Sequence, residues 1–211
     1  MTAPDLEAEP PAAAAVFGEQ QELARMFVRD LAQYGELLGL IGPLERPRLW
    51  TRHVVNSGLV APLVSSGARV GDVGSGAGLP GMVLALARPD ARFTLIEPME
   101  RRAAWLANEA ARLGLGNVEV LRSRAEEVHL AQGFDQVTAR AVSALRTLIP
   151  LAAPLLRPGG ELILMKGSGA AAEIASAQKE IRRFHLSVPE IVVLGSDLGT
   201  ENTWVVRATV D

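Results

Sequence analysis

The chain has 211 residues, of which 48% are hydrophobic, with a formal net charge of −3 and no cysteine. This length fits one domain with a small appendage, and no apolar run reaches the roughly 18 residues of a membrane span, so we expect a soluble protein. The acidic start of the chain predicts no signal peptide, and the missing cysteines exclude disulfides, zinc–thiolate sites and a cysteine nucleophile, which fits the cytoplasm.

The negative charge is concentrated at one end. Residues 1–24 contain acids and no base, whereas in the remainder of the chain bases outnumber acids and nearly every base is Arg. Arginine suits contacts to phosphates and stacked bases, but genomic composition explains the same bias. The charge distribution is therefore compatible with an RNA partner but is not evidence for one.

The part before the first strand divides into a tail and two helices. Residues 1–16 are rich in Pro, Ala and acids and predict a disordered acidic tail. From Glu19 an apolar stripe with helical spacing predicts a first helix, which Gly42-Pro43 ends. A second helix is expected over about residues 48–64. Together they predict an N-terminal helical cap over residues 17–66.

Strands and helices alternate through the rest of the chain. The predicted strands cover residues 69–73, 93–97, 117–121, 134–139, 161–166, 188–194 and 203–209. This alternation predicts an α/β fold over residues 67–211, a doubly wound, mostly parallel seven-stranded sheet of Rossmann-like type. Only a turn separates the final two strands, so the last strand must run antiparallel to its neighbour.

The stretch Val70–Gly81 reads as the end of a buried strand, a glycine turn and the start of a helix. Gly74, Gly76 and Gly78 remove the Cβ atoms that would keep a ligand off the backbone. The free N–H groups of the turn then form a pocket for a polar or anionic ligand.

Two acids accompany this turn. The next strand ends at Glu97, whose carboxylate can accept both hydroxyls of a ribose, which indicates a nucleoside cofactor. Asp72 precedes the turn, where it would repel a pyrophosphate but suits the ammonium end of S-adenosylmethionine through a water or the backbone. The motif G-x-G-x-x-G alone is weak, so a dinucleotide or a purely structural turn stays open.

Five motifs occur in order along the chain: Leu49–His53, Asp72–Gly81, Arg124–Glu127, Thr138–Ala141 and Met165–Gly167. Together they resemble the RsmG (GidB) family of class I S-adenosylmethionine-dependent methyltransferases, which methylate N7 of a guanine in bacterial 16S ribosomal RNA. The resemblance covers about residues 20–210. It implies S-adenosylmethionine as cofactor and the small ribosomal subunit as partner, and we expect a monomer without membrane association.

The resemblance also implies site residues. The family's cofactor contacts fall on Gly74, Leu79, Ala125, Glu126 and Arg140. Glu126 would position the adenine through backbone contacts, although without the resemblance the sequence favours a surface acid at a helix start. Arg140 follows the fourth strand and would meet the cofactor carboxylate, an RNA phosphate or guanine O6. The alternative for Arg140 is a structural ion pair with Asp135 or with a helix acid.

Candidate RNA contacts are Lys166, Arg52 and Arg101. Lys166 ends the fifth strand and is expected to contact a phosphate. Arg101 and Arg102 begin a helix, where the dipole disfavours cations; this hints at a ligand contact, but simple solvation explains them better. Trp50 is either a stacking platform for RNA or a core residue. His53 is expected to be a structural, hydrogen-bonded histidine.

Guanine N7 has a lone pair and no proton to remove, so the reaction needs neither a general base nor a metal, and positioning by Arg140 should suffice. No Asn-Pro-Pro-Tyr element, typical of amine methylation, is present. Two other functions stay open: a dinucleotide-dependent oxidoreductase, although the chain lacks a Tyr-x-x-x-Lys pair, and a non-catalytic ribosome-assembly factor.

Overall fold

Seven strands form the central sheet in a computed structural model of the chain, which describes residues 5–211. They are β1 (Arg69–Val73), β2 (Arg92–Ile96), β3 (Val118–Leu121), β4 (Phe134–Arg140), β5 (Leu156–Lys166), β6 (Glu190–Leu194) and β7 (Thr203–Thr209). Their order in the sheet is β3-β2-β1-β4-β5-β7-β6, with β7 antiparallel to both neighbours and the other pairings parallel. The predicted fold class and the antiparallel last strand are confirmed.

Helices cover both faces of this sheet. They are α1 (Ala12–Phe17), α2 (Gln21–Tyr34), α3 (Asn56–Gly58), α4 (Gly81–Ala87), α5 (Glu100–Arg112), α6 (Leu145–Ala152), α7 (Ala170–Ser176) and α8 (Gln178–Arg183). Within residues 5–211, no helix has the length and apolar character needed to cross a bilayer.

The apolar core lies on the two faces of the sheet. One cluster joins α1, α2, α4 and α5 to one face, and the other joins α6 and α8 to the opposite face. At the centre, Gly71 of β1 lies against the ring of Phe134, which a Cβ at position 71 would approach to 2.6 Å. Close packing of this kind explains a glycine inside a buried strand.

The acidic N-terminal segment departs from its prediction as a disordered tail. Residues 1–4 lie outside the described part of the chain, but α1 buries Ala12 and Ala13 in the first core cluster. Glu9 accepts hydrogen bonds from Arg25 of α2, and Glu7 accepts one from the Thr51 N–H at 3.0 Å. The alanines that look like low complexity pack closely because they are small, and the acids find basic or N–H partners.

The predicted helical cap is present, with altered helix bounds. The helix α2 ends at Tyr34, and the chain then turns back so that Ile41 lies where a Cβ on Gly35 would touch it. The second predicted helix is a π-helical turn over Leu49–Val55 that continues into α3. Both segments share one apolar cluster with the sheet, so the cap has no separate core.

The packing of α1 gives a first prediction. Ala13 is fully buried, whereas its neighbour Ala14 is exposed on the same helix. We expect Ala13→Asp to lower the free energy of unfolding by about 3 kcal/mol or more, because it buries a carboxylate without a partner. Ala14→Asp should change it by less than about 0.5 kcal/mol. Urea unfolding of both variants measures this, and equal effects would show that the segment does not pack.

Candidate active site

The glycine turn between β1 and α4 is held mainly by its own backbone and by β2. The N–H groups of Gly74 and Ser75 donate to the Ile96 carbonyl, and those of Gly78 and Leu79 donate to the Ser75 carbonyl. The expectation that free N–H groups of this turn form an anion pocket is therefore wrong for these positions. A turn whose donors are already occupied cannot cradle a pyrophosphate in the way that phosphate-binding glycine loops do.

The three glycines of the turn have different reasons to be glycine. All three have positive φ values. A Cβ on Gly74 would lie 2.9 Å from Val142, and one on Gly78 would lie 2.7 Å from Met82. A Cβ on Gly76 would meet nothing closer than 3.8 Å. Only Gly76 therefore matches the predicted role of leaving room for a ligand, whereas Gly74 and Gly78 let protein segments approach the turn.

Asp72 lies beneath the turn and not in the cleft. Its side chain is fully buried, and its Oδ2 atom accepts a hydrogen bond from the Gly81 N–H at 3.2 Å. The Oδ1 atom is buried without a hydrogen-bond partner in the described part of the chain. Burial raises the pKa of Asp72 to about 7. The predicted contact of Asp72 to the cofactor's ammonium group through a water is therefore not supported, because the carboxyl is closed off from the cleft, whereas a contact through the backbone stays a prediction.

Glu97 connects the turn to the chain after β2. Its Oε2 atom accepts the Gly76 N–H and its Oε1 atom accepts the Met99 N–H, both at 2.9 Å. Each carboxylate oxygen keeps a second lone pair for a ligand hydroxyl. The ribose contact of Glu97 stays a prediction, and the two backbone contacts fix the direction of the carboxylate.

A cleft of about 350 Å³ opens above the turn at the carboxyl edge of the sheet. Its lining comprises Leu40, Ile41, Gly42, Glu45, His53, Gly74, Ser75, Gly76, Ala77, Leu79, Arg102, Arg140 and Ala141. The predicted residues Gly74, Gly76, Leu79 and Arg140 thus lie together. The residues before α3 supply one wall, because the chain returns over the sheet edge after α2.

Arg140 is attached to that wall. Its Nη1 atom lies 3.2 Å from the His53 carbonyl oxygen and 3.1 Å from Ser57 Oγ, with the Arg52 carbonyl also in reach. Desolvation, with a further effect of the Arg52 charge, lowers the pKa of Arg140 to about 10, so the group stays charged at neutral pH. The predicted alternative pairing with Asp135 is absent, since Asp135 pairs with Arg157.

His53 joins Arg140 to an acid. Its Nδ1 atom faces Arg140 Nη2, and its Nε2 atom lies 2.6 Å from Glu45 Oε2. An arginine can only donate, so Nδ1 must accept and Nε2–H must donate to Glu45. Burial, followed by the nearby charge of Arg140, lowers the pKa of His53, which keeps the ring neutral. The prediction of a structural histidine agrees with these contacts.

A second hollow of about 410 Å³ lies along the same edge, beyond β2 and β3. Pro98, Met99, Arg122, Ser123, Arg124 and Glu127 line it. The predicted adenine contacts Ala125 and Glu126 begin a 3-10 helix here, so their N–H groups have no partner within that helix. The Glu126 side chain is exposed. A contact to adenine through the backbone stays a prediction, and the hollow gives it space.

The predicted RNA contacts differ in their surroundings. Lys166 Nζ is paired with Glu173 at 2.7 Å and donates to the Ser143 carbonyl at 2.8 Å, with its side chain only 10% exposed. Its predicted phosphate contact is therefore not supported, because an internal acid neutralises it. Arg52 and Arg101 are exposed near the cleft and stay predictions. Trp50 is 3% exposed and belongs to the core.

Sequence reasoning missed three features of this site. Glu45 follows the Gly42-Pro43 pair, which only signalled a helix end. Trp105 holds α5 against the turn through a hydrogen bond from its Nε1 to the Ala77 carbonyl at 3.2 Å. Ala141 adopts a left-handed φ of 55° directly after Arg140. A non-glycine residue in that region is uncommon and is typical of functional sites, but no local pattern announces it.

The fold and the site together define a class of protein. The antiparallel β7 beside β5, with an acid-flanked glycine turn at the carboxyl edge of β1, is the arrangement of class I S-adenosylmethionine-dependent methyltransferases. A solved structure of an S-adenosylmethionine-dependent methyltransferase from Aquifex aeolicus matches 80% of this chain and 95% of its own, with a TM-score of 0.59 and 19% identity. This likeness supports the fold.

The chain belongs to the GidB family, rRNA small subunit methyltransferase G, whose profile matches residues 20–198. A relative from Leifsonia xyli subsp. xyli, named ribosomal RNA small subunit methyltransferase G, is 60% identical over 97% of this chain and 98% of its own length. One from Clavibacter michiganensis with the same name is 60% identical over 97% of both chains. The dinucleotide-dependent oxidoreductase that the glycine motif left open is thereby set aside, and the cofactor is S-adenosylmethionine.

The described residues fit this cofactor. Arg102 lines the cleft, and its buried Nε atom has no hydrogen-bond partner in the described part of the chain, so its positive charge suits the cofactor's carboxylate. The space above Gly76 is open. Among residues 5–211, no group of three or more His, Asp or Glu side chains could hold a metal ion. That the reaction needs no metal stays a prediction.

The buried Asp72 makes stability depend on pH. Its pKa is about 7 in the folded chain against 3.8 for the ordinary group, so folding disfavours the charged form. This contribution is fully present below pH 3.8 and is lost as the pH rises through 7. We expect the free energy of unfolding to fall by about 1 kcal/mol between pH 6 and pH 8 relative to Asp72→Asn. Urea unfolding at three pH values tests this, and parallel curves for the two proteins would contradict it.

Proposed function

We propose that this protein transfers the methyl group of S-adenosylmethionine to N7 of a specific guanine in the 16S ribosomal RNA of the small subunit. We further propose that it acts as a monomer in the cytoplasm. The observation that carries the reaction is the cleft between the glycine turn and the Glu45–His53–Arg140 chain of hydrogen bonds, in a protein whose relatives with the rRNA methyltransferase name match it end to end.

The acids and bases around the cleft favour a nucleophile that has no proton to lose. Glu45 is paired with His53 and Arg48, and His53 is fixed as a neutral ring between Glu45 and Arg140. Asp72 is sealed beneath the turn. None of these groups is free to take a proton from a substrate, and guanine N7 carries only a lone pair. Bound S-adenosylmethionine supplies a methyl group activated by a sulfonium.

Arg140 then acts as a positioning residue at the wall of the cleft. Its Nη1 donors are directed to the carbonyls of Arg52 and His53, so it holds the 52–57 segment on the end of β4. Its side chain also borders the cleft in which guanine N7 would attack the methyl carbon. Rate depends on such placement because a displacement reaction tolerates little misalignment.

The reaction itself is tested by methyl transfer. We expect purified protein to transfer tritiated methyl groups to small ribosomal subunits or to free 16S rRNA, with N7-methylguanosine as the product by nucleoside mass spectrometry. A methyl group on another atom would contradict the guanine N7 assignment. RNA binding with no transfer would favour the non-catalytic assembly factor.

Removing the Arg140 guanidinium should affect both rate and stability. We expect Arg140→Ala and Arg140→Lys to lower kcat/KM by roughly 100-fold or more, since neither restores the planar set of donors. Contrary to the expectation for a free cleft side chain, Arg140→Ala should also melt at a lower temperature, because the carbonyls of Arg52 and His53 lose their donor.

The matched control is Arg157→Ala, which removes an arginine paired with an acid at the opposite edge of the sheet. It should keep normal transfer. Assays below both melting temperatures separate rate from folding, and near-normal transfer by Arg140→Ala would refute the assignment.

The RNA contacts are tested by salt dependence. Arg52 has a side chain that is 52% exposed, whereas Lys166 is occupied by Glu173. We expect Arg52→Gln and Arg101→Gln each to reduce the slope of log affinity against log salt by about 0.7 to 0.9, the loss of one phosphate contact. Lys166→Met should leave the slope unchanged while lowering stability. Filter binding to 16S rRNA fragments measures the slopes. A reduced slope for Lys166→Met would support the original prediction that Lys166 contacts a phosphate.

A further inference from the structure

Two arginines border the cleft, and they differ in how many of their donors are used. Arg140 directs Nη1 to carbonyl and hydroxyl oxygens and Nη2 to the His53 ring. Arg102 donates from Nη2 to the Gly39 carbonyl at 3.3 Å. Its Nε atom is buried and has no hydrogen-bond partner within residues 5–211. The guanidinium of Arg102 therefore has a buried N–H that donates to no acceptor among the described residues.

An unpaired buried donor of this kind is costly, because it has lost its hydration without gaining an acceptor. Such groups in native structures call for an explanation, and a bound ion or a functional role is among the known ones. Arg102 is also well fixed. It lies in the first turn of α5, one turn before Trp105, whose hydrogen bond to Ala77 holds α5 against the glycine turn. Arg102 also lines the cleft, so a rigid helix holds its guanidinium beside that space.

The acceptor that fits this donor must be anionic or strongly polar and must lie in the cleft. Glu45, the acid in the cleft lining, is directed to His53 and Arg48. The cofactor carries one anionic group, the carboxylate of its methionyl part. We propose that the guanidinium of Arg102 binds this carboxylate and so fixes the methionyl end of S-adenosylmethionine in the cleft. This inference rests on the cofactor part of the proposed function.

Arg101, which the sequence favoured, is the less suitable neighbour. It is exposed on the same helix turn, and its guanidinium lies beside Gly39, where a Cβ would approach Nη2 to 3.0 Å. A hydrated guanidinium gains little from one more hydrogen bond. Arg101 therefore serves as the matched control, since it has the same charge and sits one residue away.

The test combines three proteins, the unaltered chain and two variants, with two ligands. Calorimetry compares S-adenosylmethionine with its decarboxylated analogue, which lacks only the carboxylate. We expect the unaltered protein to bind S-adenosylmethionine roughly 10- to 100-fold more tightly than the analogue, as for a hydrogen bond to a charged group. Arg102→Met should remove most of this preference by weakening only S-adenosylmethionine. Arg101→Met should keep the preference.

Three outcomes would overturn the proposal. These are equal weakening of both ligands by Arg102→Met, a preference that survives in that variant, and an unaltered protein that does not distinguish the ligands. Failure of the unaltered protein to bind either ligand would instead refute the cofactor assignment on which the inference rests. Melting curves without ligand check folding, and Arg102→Gln, which keeps polarity without charge, replaces the Met variant if that one does not fold.

Discussion

The hydrogen bonds from Arg140 to the segment 52–57 are the constraint on which the cleft depends. They join the carboxyl end of β4 to a helical segment more than 80 residues earlier in the chain. The Asn56–Thr203 hydrogen bond and the bond from Arg102 to the Gly39 carbonyl also attach this part of the chain to the rest of the fold. π-Helical turns such as Leu49–Val55 occur frequently at functional sites, and here the turn delivers two carbonyls to one guanidinium.

Most of the fold could be predicted because buried strands and their glycine turns are local signals. The strands around Val70 and Phe93 alternate with helices of ordinary length, and this alternation alone implies a parallel sheet. The N-terminal segment could not be predicted in the same way. Its alanines give it the composition of a disordered tail. They pack in the core because α1 lies in the groove beside α2 and Gly58. The predicted end of α2 was wrong for a similar reason, since Leu38 and Ile41 keep the apolar spacing of a helix although the backbone folds back after Tyr34.

The site was predictable in its location but not in the state of its groups. Order along the chain places Gly76, Glu97 and Arg140 at one edge of the sheet, whichever contacts they make. Whether a donor is free or occupied depends on partners far away in sequence. Lys166 is paired with Glu173 of α7, and burial separates the Asp72 carboxyl from the cleft. Neither the pairing nor the burial can be predicted from the local sequence.

Several glycines of this protein are tightly enclosed by their neighbours, so a substitution at any of them would disturb the fold. A Cβ on Gly81 would lie 2.4 Å from both Asp72 Oδ2 and Leu95, and one on Gly71 would lie 2.6 Å from the Phe134 ring. At such positions even alanine, the smallest replacement, forces neighbours to move. Under selection for loss of this activity, many different single-nucleotide changes would therefore abolish it. Many of these changes would fall where no ligand contact is made, so they would act through protein abundance.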